Sequence, residues 1–362
     1  MVKRICFFSG DITRSGGTEK VSVMISGQLK KQGNYDIVFL SLVEQSDTPF
    51  FSLEQGIRRF SLGKKWIKPG PGYLPLIPKL RRFLKEQKID VLIDIDIVLD
   101  VLSIPAAKGL GTKILSWEHS NCDYEMSVLY RRLILRYSVR RTDFVVTLTE
   151  GDRKRYGELL DRKKNIMAIY NPVEDREWKE PEKKENWIIT TGRLVHVKGI
   201  DYLAETAKSV LKKHKDWKWL LLGEGEERSR LEHFIQENEL ENRLILTGRV
   251  KDVNSYLERA KLFVLTSRSE GLPMCMLEAK AHHLPCVSFD IRTGPNEIIE
   301  DGINGYLIPP YDCREMAEKI ERLMENDNLR AAFAEHAGQN MEKFQMKHIL
   351  ENWNEVLRKL CG

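Results

Sequence analysis

Two α/β domains, each a doubly wound parallel sheet with helices on both faces, are what this sequence predicts, on three observations. Short apolar runs alternate with amphipathic segments of about 8–15 residues along the chain, the pattern of strands buried on both faces by the helices between them. The alternation comes in two series. Between them lies "YNPVEDREWKEPEKKENW" (170–187), a polar stretch with two prolines and no apolar periodicity. Finally, 362 residues exceed the roughly 250–300 at which one hydrophobic core stops growing.

In the first series the strands are expected in "RICFFS", "YDIVFLSLV", "IRRFSL", "VLIDIDI", "TKILSWEH", "FVVTLT" and "IMAIYNPV". In the second they are expected in "WIITTGRL", "WKWLLLG", "RLILTGR", "LFVLTS", "PCVSFD" and "GYLIPP". This divides the chain into a first domain over 1–172 and a second over 173–342. The tail, 343–362, reads as a helix with Ile349, Trp353, Val356 and Leu357 at helical spacing, expected to pack back toward the first domain. No internal repeat or low-complexity segment interrupts the pattern.

Composition narrows the function classes. Apolar residues make up 42%, enough for sizeable cores, and no apolar run approaches the roughly 18–20 residues of a membrane span. The N-terminal "MVKRICFFSGD" reads as a first strand rather than a secretory signal, so a cytoplasmic protein is expected. The six cysteines are scattered, without a CxxC pair or metal-ligand spacing, which suits reduced, buried thiols. The net charge of +5 hides an asymmetry: residues 1–170 carry 29 Lys and Arg against 19 Asp and Glu, whereas the remainder carries 29 against 34. A basic first half suggests an anionic partner. Nucleic acid is not that partner, because an aromatic stacking motif and a recognisable nucleic-acid fold are both missing.

Ligands of doubly wound sheets bind at the carboxyl ends of the strands, where glycine turns and helix N-termini offer free N–H groups to anions. Two such domains facing each other imply a cleft lined by both sets of strand ends. After the first strand, "FFSGDITRSGGTEK" sets Gly16 and Gly17 before Thr18, a candidate helix N-cap. This is neither a dinucleotide fingerprint nor a phosphate loop, and an ordinary flexible turn explains it as well as an anion contact does. The second domain opens with "WIITTGRLVHVKGIDYL", where Arg193 and Lys198 follow a strand. Two cations there suit a diphosphate, arginine as a fork and lysine as a point charge, although a solvated surface pair would look the same. Weaker signals follow in Glu224 of "GEGEE" and in Arg249 and Val250 of "GRV", whose backbone could border a flat base.

The stretch "SRSEGLPMCMLEAKAHHLP" places Glu270 in a loop and Glu278 in the next helix. Between them Gly271, Leu272, Pro273, Met274 and Cys275 begin that helix, with Pro273 in its first turn. Their N–H groups at the positive end of the helix would form an anion site bracketed by two acceptors for hydroxyl groups. Paired carboxylates alone also serve glycoside hydrolysis, but the neighbouring cations imply a phosphate between them.

Taken together, Gly16-Gly17, Arg193 with Lys198, "GEGEE", "GRV", Glu270-x7-Glu278 and "TGPNEIIEDGINGYLI" resemble the retaining nucleotide-sugar glycosyltransferases of family 4. The resemblance spans nearly the whole chain, with the second-domain motifs in the family's order and spacing. It implies the GT-B fold, two Rossmann-like domains facing each other across a cleft, with a C-terminal helix. It also implies that Glu270 meets donor-sugar hydroxyls, Glu278 the ribose, Arg193 and Lys198 the diphosphate, and Gly17 the distal phosphate and acceptor. His119, after the strand in "SWEHSN", resembles the family's donor-sugar histidine, where a lone histidine would otherwise read as structural. The loop "FDIRTGPNEII" resembles the subgroup that adds galactose, N-acetylgalactosamine or related sugars to lipid-linked oligosaccharides.

Two basic stretches complete the reading. Residues 58–88 mix Lys64, Lys65, Lys68, Arg81, Arg82 and Lys85 with Trp66, Tyr73, Leu76, Leu80 and Phe83, and 130–141, "YRRLILRYSVRR", reads as a basic amphipathic helix. Both suit anionic lipid headgroups or a polyprenyl diphosphate, although most such runs are solvated helix faces. The expected protein is a membrane-peripheral, metal-independent hexosyltransferase using a UDP-sugar, without a cofactor. Its acceptor would be a polyprenyl-diphosphate-linked oligosaccharide or a polysaccharide. A UDP-sugar epimerase on the same fold and a non-catalytic lipid- or polysaccharide-binding protein are the rival readings.

Overall fold

The computed structural model describes residues 2–64, 71–162, 164–173 and 184–362. Lys65, Trp66, Lys68 and positions 174–183 of the polar break lie outside the described residues. The chain forms two compact units, one of Met1–Pro172 with Met346–Gly362 and one of Val173–Gln345.

The first unit holds a seven-stranded sheet of β1 (Lys3–Ser9), β2 (Tyr35–Ser41), β3 (Arg58–Ser61), β4 (Val91–Ile95), β5 (Lys113–Trp117), β6 (Phe144–Thr147) and β7 (Ile166–Ala168). Its order is β3-β2-β1-β4-β5-β6-β7, with parallel pairing throughout. The second holds β8 (Trp187–Thr191), β9 (Lys218–Leu222), β10 (Leu244–Gly248), β11 (Leu262–Leu265), β12 (Cys286–Phe289) and β13 (Gly305–Ile308), ordered β10-β9-β8-β11-β12-β13 and again parallel. Every strand coincides with one of the apolar runs read from the sequence, β1 beginning one residue earlier, at Lys3. Continuous apolar runs are what such strands require, since helices cover both faces.

Both faces of β1 are indeed closed: Ile5, Cys6, Phe7 and Phe8 have no exposed surface. Cys6 and Phe8 join Val38, Leu40 and Leu92 against Leu80 and Leu84 of the helix Leu76–Glu86. On the opposite face Phe7 stacks on Phe39 at 5.7 Å, and the last helix, Met346–Cys361, brings Trp353 within 4.8 Å of Trp117. In the second unit Ile188, Leu221, Val264 and Val287 pack with Leu203, Val210, Met316 and Ile320, from the helices Ile200–Lys213 and Cys313–Glu325.

Each sheet reverses its order once, between β1 and β4 and between β8 and β11. At such a point the connections leave neighbouring strands in opposite directions and open a crevice at their carboxyl ends. In the second unit the connections flanking it carry Arg193, Lys198 and Glu270.

Several local expectations are corrected. The first helix runs Gly17–Lys31 with Gly16 as its N-cap, so Thr18 lies inside it. Pro273 is the residue before the helix Met274–Ala281 rather than part of its first turn. Tyr73, Leu76 and Leu80 are buried, and Phe83 packs edge-on against Phe60 at 5.2 Å; these belong to the core and not to a lipid-facing surface. All six cysteines are free, but Cys275, Cys313 and Cys361 are only partly buried.

Candidate active site

Beyond Thr191 the chain passes Gly192 and Arg193, makes a tight 3₁₀ turn over His196–Lys198, and enters the helix Ile200–Lys213 through Gly199. Gly199 has φ 64°, and a Cβ there would lie 2.0 Å from the carbonyl oxygen of Thr266. Only glycine lets this turn lie so close to the exit of β11. The two exits are further joined by Thr266, whose Oγ1 donates to the carbonyl of Lys198 at 3.1 Å.

This closeness brings Lys198 Nζ to 2.5 Å from Glu270 Oε1. The side chains are 21% and 11% exposed, so the pair is shielded but still open to a ligand. Ser267 Oγ donates to the same carboxylate oxygen at 2.6 Å, and Thr293 Oγ1 donates to the Glu270 carbonyl at 2.9 Å. Burial alone would pull the Lys198 ammonium down; Glu270 outweighs it and holds the group above the usual lysine range. Arg193 lies near enough to oppose that rise. The Arg193 side chain is exposed, and its guanidinium makes no hydrogen bond or ion pair with the described residues.

The start of the Met274–Ala281 helix completes the arrangement. Leu272 and Pro273 are buried, whereas Gly271, Met274 and Cys275 are partly exposed. Pro273 has no N–H, and the amides of Met276 and Leu277 already donate to its carbonyl at 3.0 and 3.2 Å, so the anion-facing donors of the helix start reduce to the amides of Met274 and Cys275. Burial pushes the Cys275 thiol up to about 12 against the pull of Lys198, which keeps it neutral. Glu278, one turn further on, is partly exposed. Gly294 packs under the loop: its φ is 100°, and a Cβ would fall 2.7 Å from the carbonyl of Gly271.

The remaining candidates are dispersed. The Glu224 carboxylate accepts from Arg228 Nη1 at 2.6 Å, and its carbonyl accepts from the amide of Leu194 at 2.9 Å, both structural uses. Arg249 is exposed and Val250 half-buried after β10, an outer strand separated from β8 by β9.

Gly16, Gly17 and His119 belong to the first unit. Glu19, almost fully buried, folds its carboxylate back over Gly16, where a Cβ would lie 2.2 Å from Oε2. It therefore already complements the positive end of that helix. His119 follows β5 with its ring 4.4 Å from Trp117 and its Nε2 buried without a hydrogen bond. Burial lowers its pKa to about 3, so the imidazole is neutral.

Among the basic candidates, Lys64, Arg82 and Lys85 are exposed. Arg81 is not free: its Nη1 donates to the carbonyls of Ala106 and Lys108 at 2.9 and 2.7 Å. The helix Leu129–Val139 turns Leu129 and Leu133 outward, 63% and 60% exposed, beside exposed Arg136 and Arg140. Its Arg131 is committed to the buried Glu125 at 2.8 Å. Ser267 and Thr293 were missed by sequence reading. Ser267, three positions before Glu270, carries a recognisable local signal; Thr293 carries none.

Residues 15–177 match the family model described as Glycosyltransferase Family 4, and residues 173–340 match that described as Glycosyl transferases group 1. An uncharacterized glycosyltransferase of Haemophilus influenzae is 31% identical over 357 residues, covering 98% of this chain and 100% of that protein. A Campylobacter jejuni α-1,4-N-acetyl-D-galactosaminyltransferase, named for a diNAcBac-PP-undecaprenol-linked GalNAc disaccharide, is 26% identical over 352 residues, 96% of each chain. Among solved structures, Anabaena HepE in complex with UDP and glucose aligns with a TM-score of 0.81 at 18% identity, over 98% of this chain and 99% of that one.

Proposed function

This chain belongs to the family 4 glycosyltransferases and has their GT-B fold, and from that premise we propose a retaining hexosyltransferase that uses a UDP-sugar and needs no metal. Its acceptor is a hydroxyl of a lipid-linked oligosaccharide or polysaccharide, and its donor sugar is galactose, N-acetylgalactosamine or similar. The observation that carries this reading is the Lys198–Glu270 pair at 2.5 Å, flanked by Arg193 and the first turn of the Met274–Ala281 helix. Bound UDP and glucose in the Anabaena protein, and the undecaprenol-linked substrate in the name of the Campylobacter relative, support the donor and acceptor classes.

In this reaction the bond from the sugar's anomeric carbon to the diphosphate oxygen breaks, and its electron pair leaves with UDP. Arg193, Lys198 and the helix amides stabilise the charge that develops there, the contribution that is usually the largest in such sites. The acceptor hydroxyl attacks from the side the diphosphate leaves and passes its proton to a diphosphate oxygen, which retains the anomeric configuration. Glu270 turns from its partner Lys198 toward the sugar hydroxyls, and Glu278 accepts from the ribose.

No helix among the described residues is long and apolar enough to cross a membrane. The exposed leucines and arginines of the Leu129–Val139 helix suit an anionic surface and support the proposed peripheral contact from the cytoplasmic side. The test is incubation with a panel of UDP-sugars in excess EDTA, following UDP release and the anomer formed. Retained configuration and full activity are expected. An inverted product, or a loss restored by manganese, would refute the reading.

A further inference from the structure

Arg268 lies two residues before Glu270, yet its side chain points to the other strand exit. The guanidinium grips Asp201 with both arms, Nη1 to Oδ1 at 2.8 Å and Nη2 to Oδ2 at 2.6 Å. Nη1 also donates to the carbonyl of His196 at 2.8 Å, and the Arg268 amide donates to the carbonyl of Val197 at 2.8 Å. The plane of the guanidinium covers the ring of Tyr202 at 4.3 Å, and that ring stacks on Tyr311 at 5.0 Å. His196 and Val197 are the two residues before Lys198 in the 3₁₀ turn, and Asp201 lies in the first turn of the helix after it. One arginine thus binds both sides of the lysine's turn from the loop that carries the glutamate.

We infer that Arg268 is a positioning residue, a clasp that fixes the Lys198 turn against the Glu270 loop so that ammonium and carboxylate stay in register. An isolated surface ion pair would contribute little, but this one is bidentate and only 19% exposed on the arginine side, and its Nη1 adds a bond to the backbone of the turn beside those made by the Arg268 amide and by Thr266. Lysine cannot reproduce it, because a point charge lacks the fork that serves Asp201 and His196 together. The catalytic consequence rests on the role proposed for Lys198 above; the clasp itself does not.

Two measurements separate the two. In the first, surface-accessible lysines are acetylated with acetic anhydride, and Lys198 is followed by mass spectrometry. In Arg268→Ala and Arg268→Lys its labelling should rise several-fold over wild type while distant lysines are unchanged. Unchanged labelling of Lys198 overturns the inference whatever the enzyme does. The second is a turnover cycle. Arg268→Ala should lower kcat about tenfold, and in a Lys198→Ala background it should add less than twofold, since a clasp has nothing left to position. Equal fold-losses in both backgrounds would overturn the inference. Wild-type turnover in Lys198→Ala alone would instead refute the assignment of Lys198.

Discussion

Replacing Lys198 with methionine keeps the length and most of the volume of the stem and deletes its charge. The partner left behind is Glu270, 11% exposed and 2.5 Å from the lost ammonium. Breaking a fully buried pair costs about 3–5 kcal/mol, whereas exposed pairs contribute about 0–1. With Lys198 itself 21% exposed, solvent screening places this pair between those limits, at about 2 kcal/mol. For a unit of this size that corresponds to roughly 4–8 °C in Tm. Adding Glu270→Gln should recover part of the loss, because the stranded carboxylate is then neutral. The sign with pH is fixed by the raised pKa of Lys198. The folded state holds this proton more tightly than the unfolded chain, whose lysine titrates near 10.4. Stability from the pair is therefore complete below about pH 10 and is lost as pH rises through the folded value. Differential scanning calorimetry of wild type and Lys198→Met at pH 7 and at pH 10.5–11 reads both effects. Turnover with the UDP-sugar should fall about 10²–10³-fold, or roughly 3–4 kcal/mol of transition-state stabilisation. A variant with wild-type Tm at pH 7 and turnover within threefold would refute the reasoning.

Three further outcomes are expected. Gly294→Ala places a Cβ 2.7 Å from the Gly271 carbonyl at a φ of 100°, so turnover should drop at least tenfold by displacing the helix start, with about 1–3 kcal/mol lost in urea unfolding. Normal turnover would show the loop to be compliant. Paired Leu129→Glu and Leu133→Glu, or Arg82→Glu with Lys85→Glu, should weaken sedimentation with anionic vesicles. Donor hydrolysis should stay unchanged, and wild-type binding itself should fall with salt as charges are screened beyond about 8 Å. For His119, the unfolded chain takes up a proton near pH 6.5, whereas the folded ring resists it until about 3. Stability should fall with pH across that window, and His119→Gln should be spared this part of the loss; parallel stability curves would contradict the buried, neutral imidazole.

The strands were legible because burial on both faces forces continuous apolar runs, and "RICFFS" or "KLFVLTS" permits little else. The chemistry around Glu270 was legible for a different reason: Arg193, Lys198 and both glutamates sit at strand exits, where the fold class alone says ligands bind. What could not be read depends on partners distant in sequence. Asp201 and Arg268 are 67 positions apart, and nothing local in either marks the other. Arg81 looked like any other cation of the 58–88 stretch until the carbonyls of Ala106 and Lys108 claimed it. The helical period placed Leu76 and Leu80 on one face, but the period does not say whether that face meets lipid or a sheet. The N-cap falls at Gly16 rather than Thr18, and there the carboxylate of Glu19 lies so close over Gly16 that a Cβ would meet it at 2.2 Å, a crowding that Thr18 does not signal.

The first unit is closed by the helix that comes last in the chain. Phe7, in the first strand, lies 6.4 Å from Trp353, and Asn354 Nδ2 donates to Gln32 Oε1 at 2.9 Å. On the ribosome the synthesis of the 346 positions from Phe7 to Trp353 separates these partners, at about 5–20 residues per second. The second unit, Val173–Gln345, has been synthesised whole before the Met346–Cys361 helix exists to cover Phe7, Phe39 and Trp117. Birth order and completion order are thus reversed: the unit begun first is finished last. Until then it carries an uncovered aromatic surface, the kind of patch that chaperones hold and that a prematurely terminated chain would never hide.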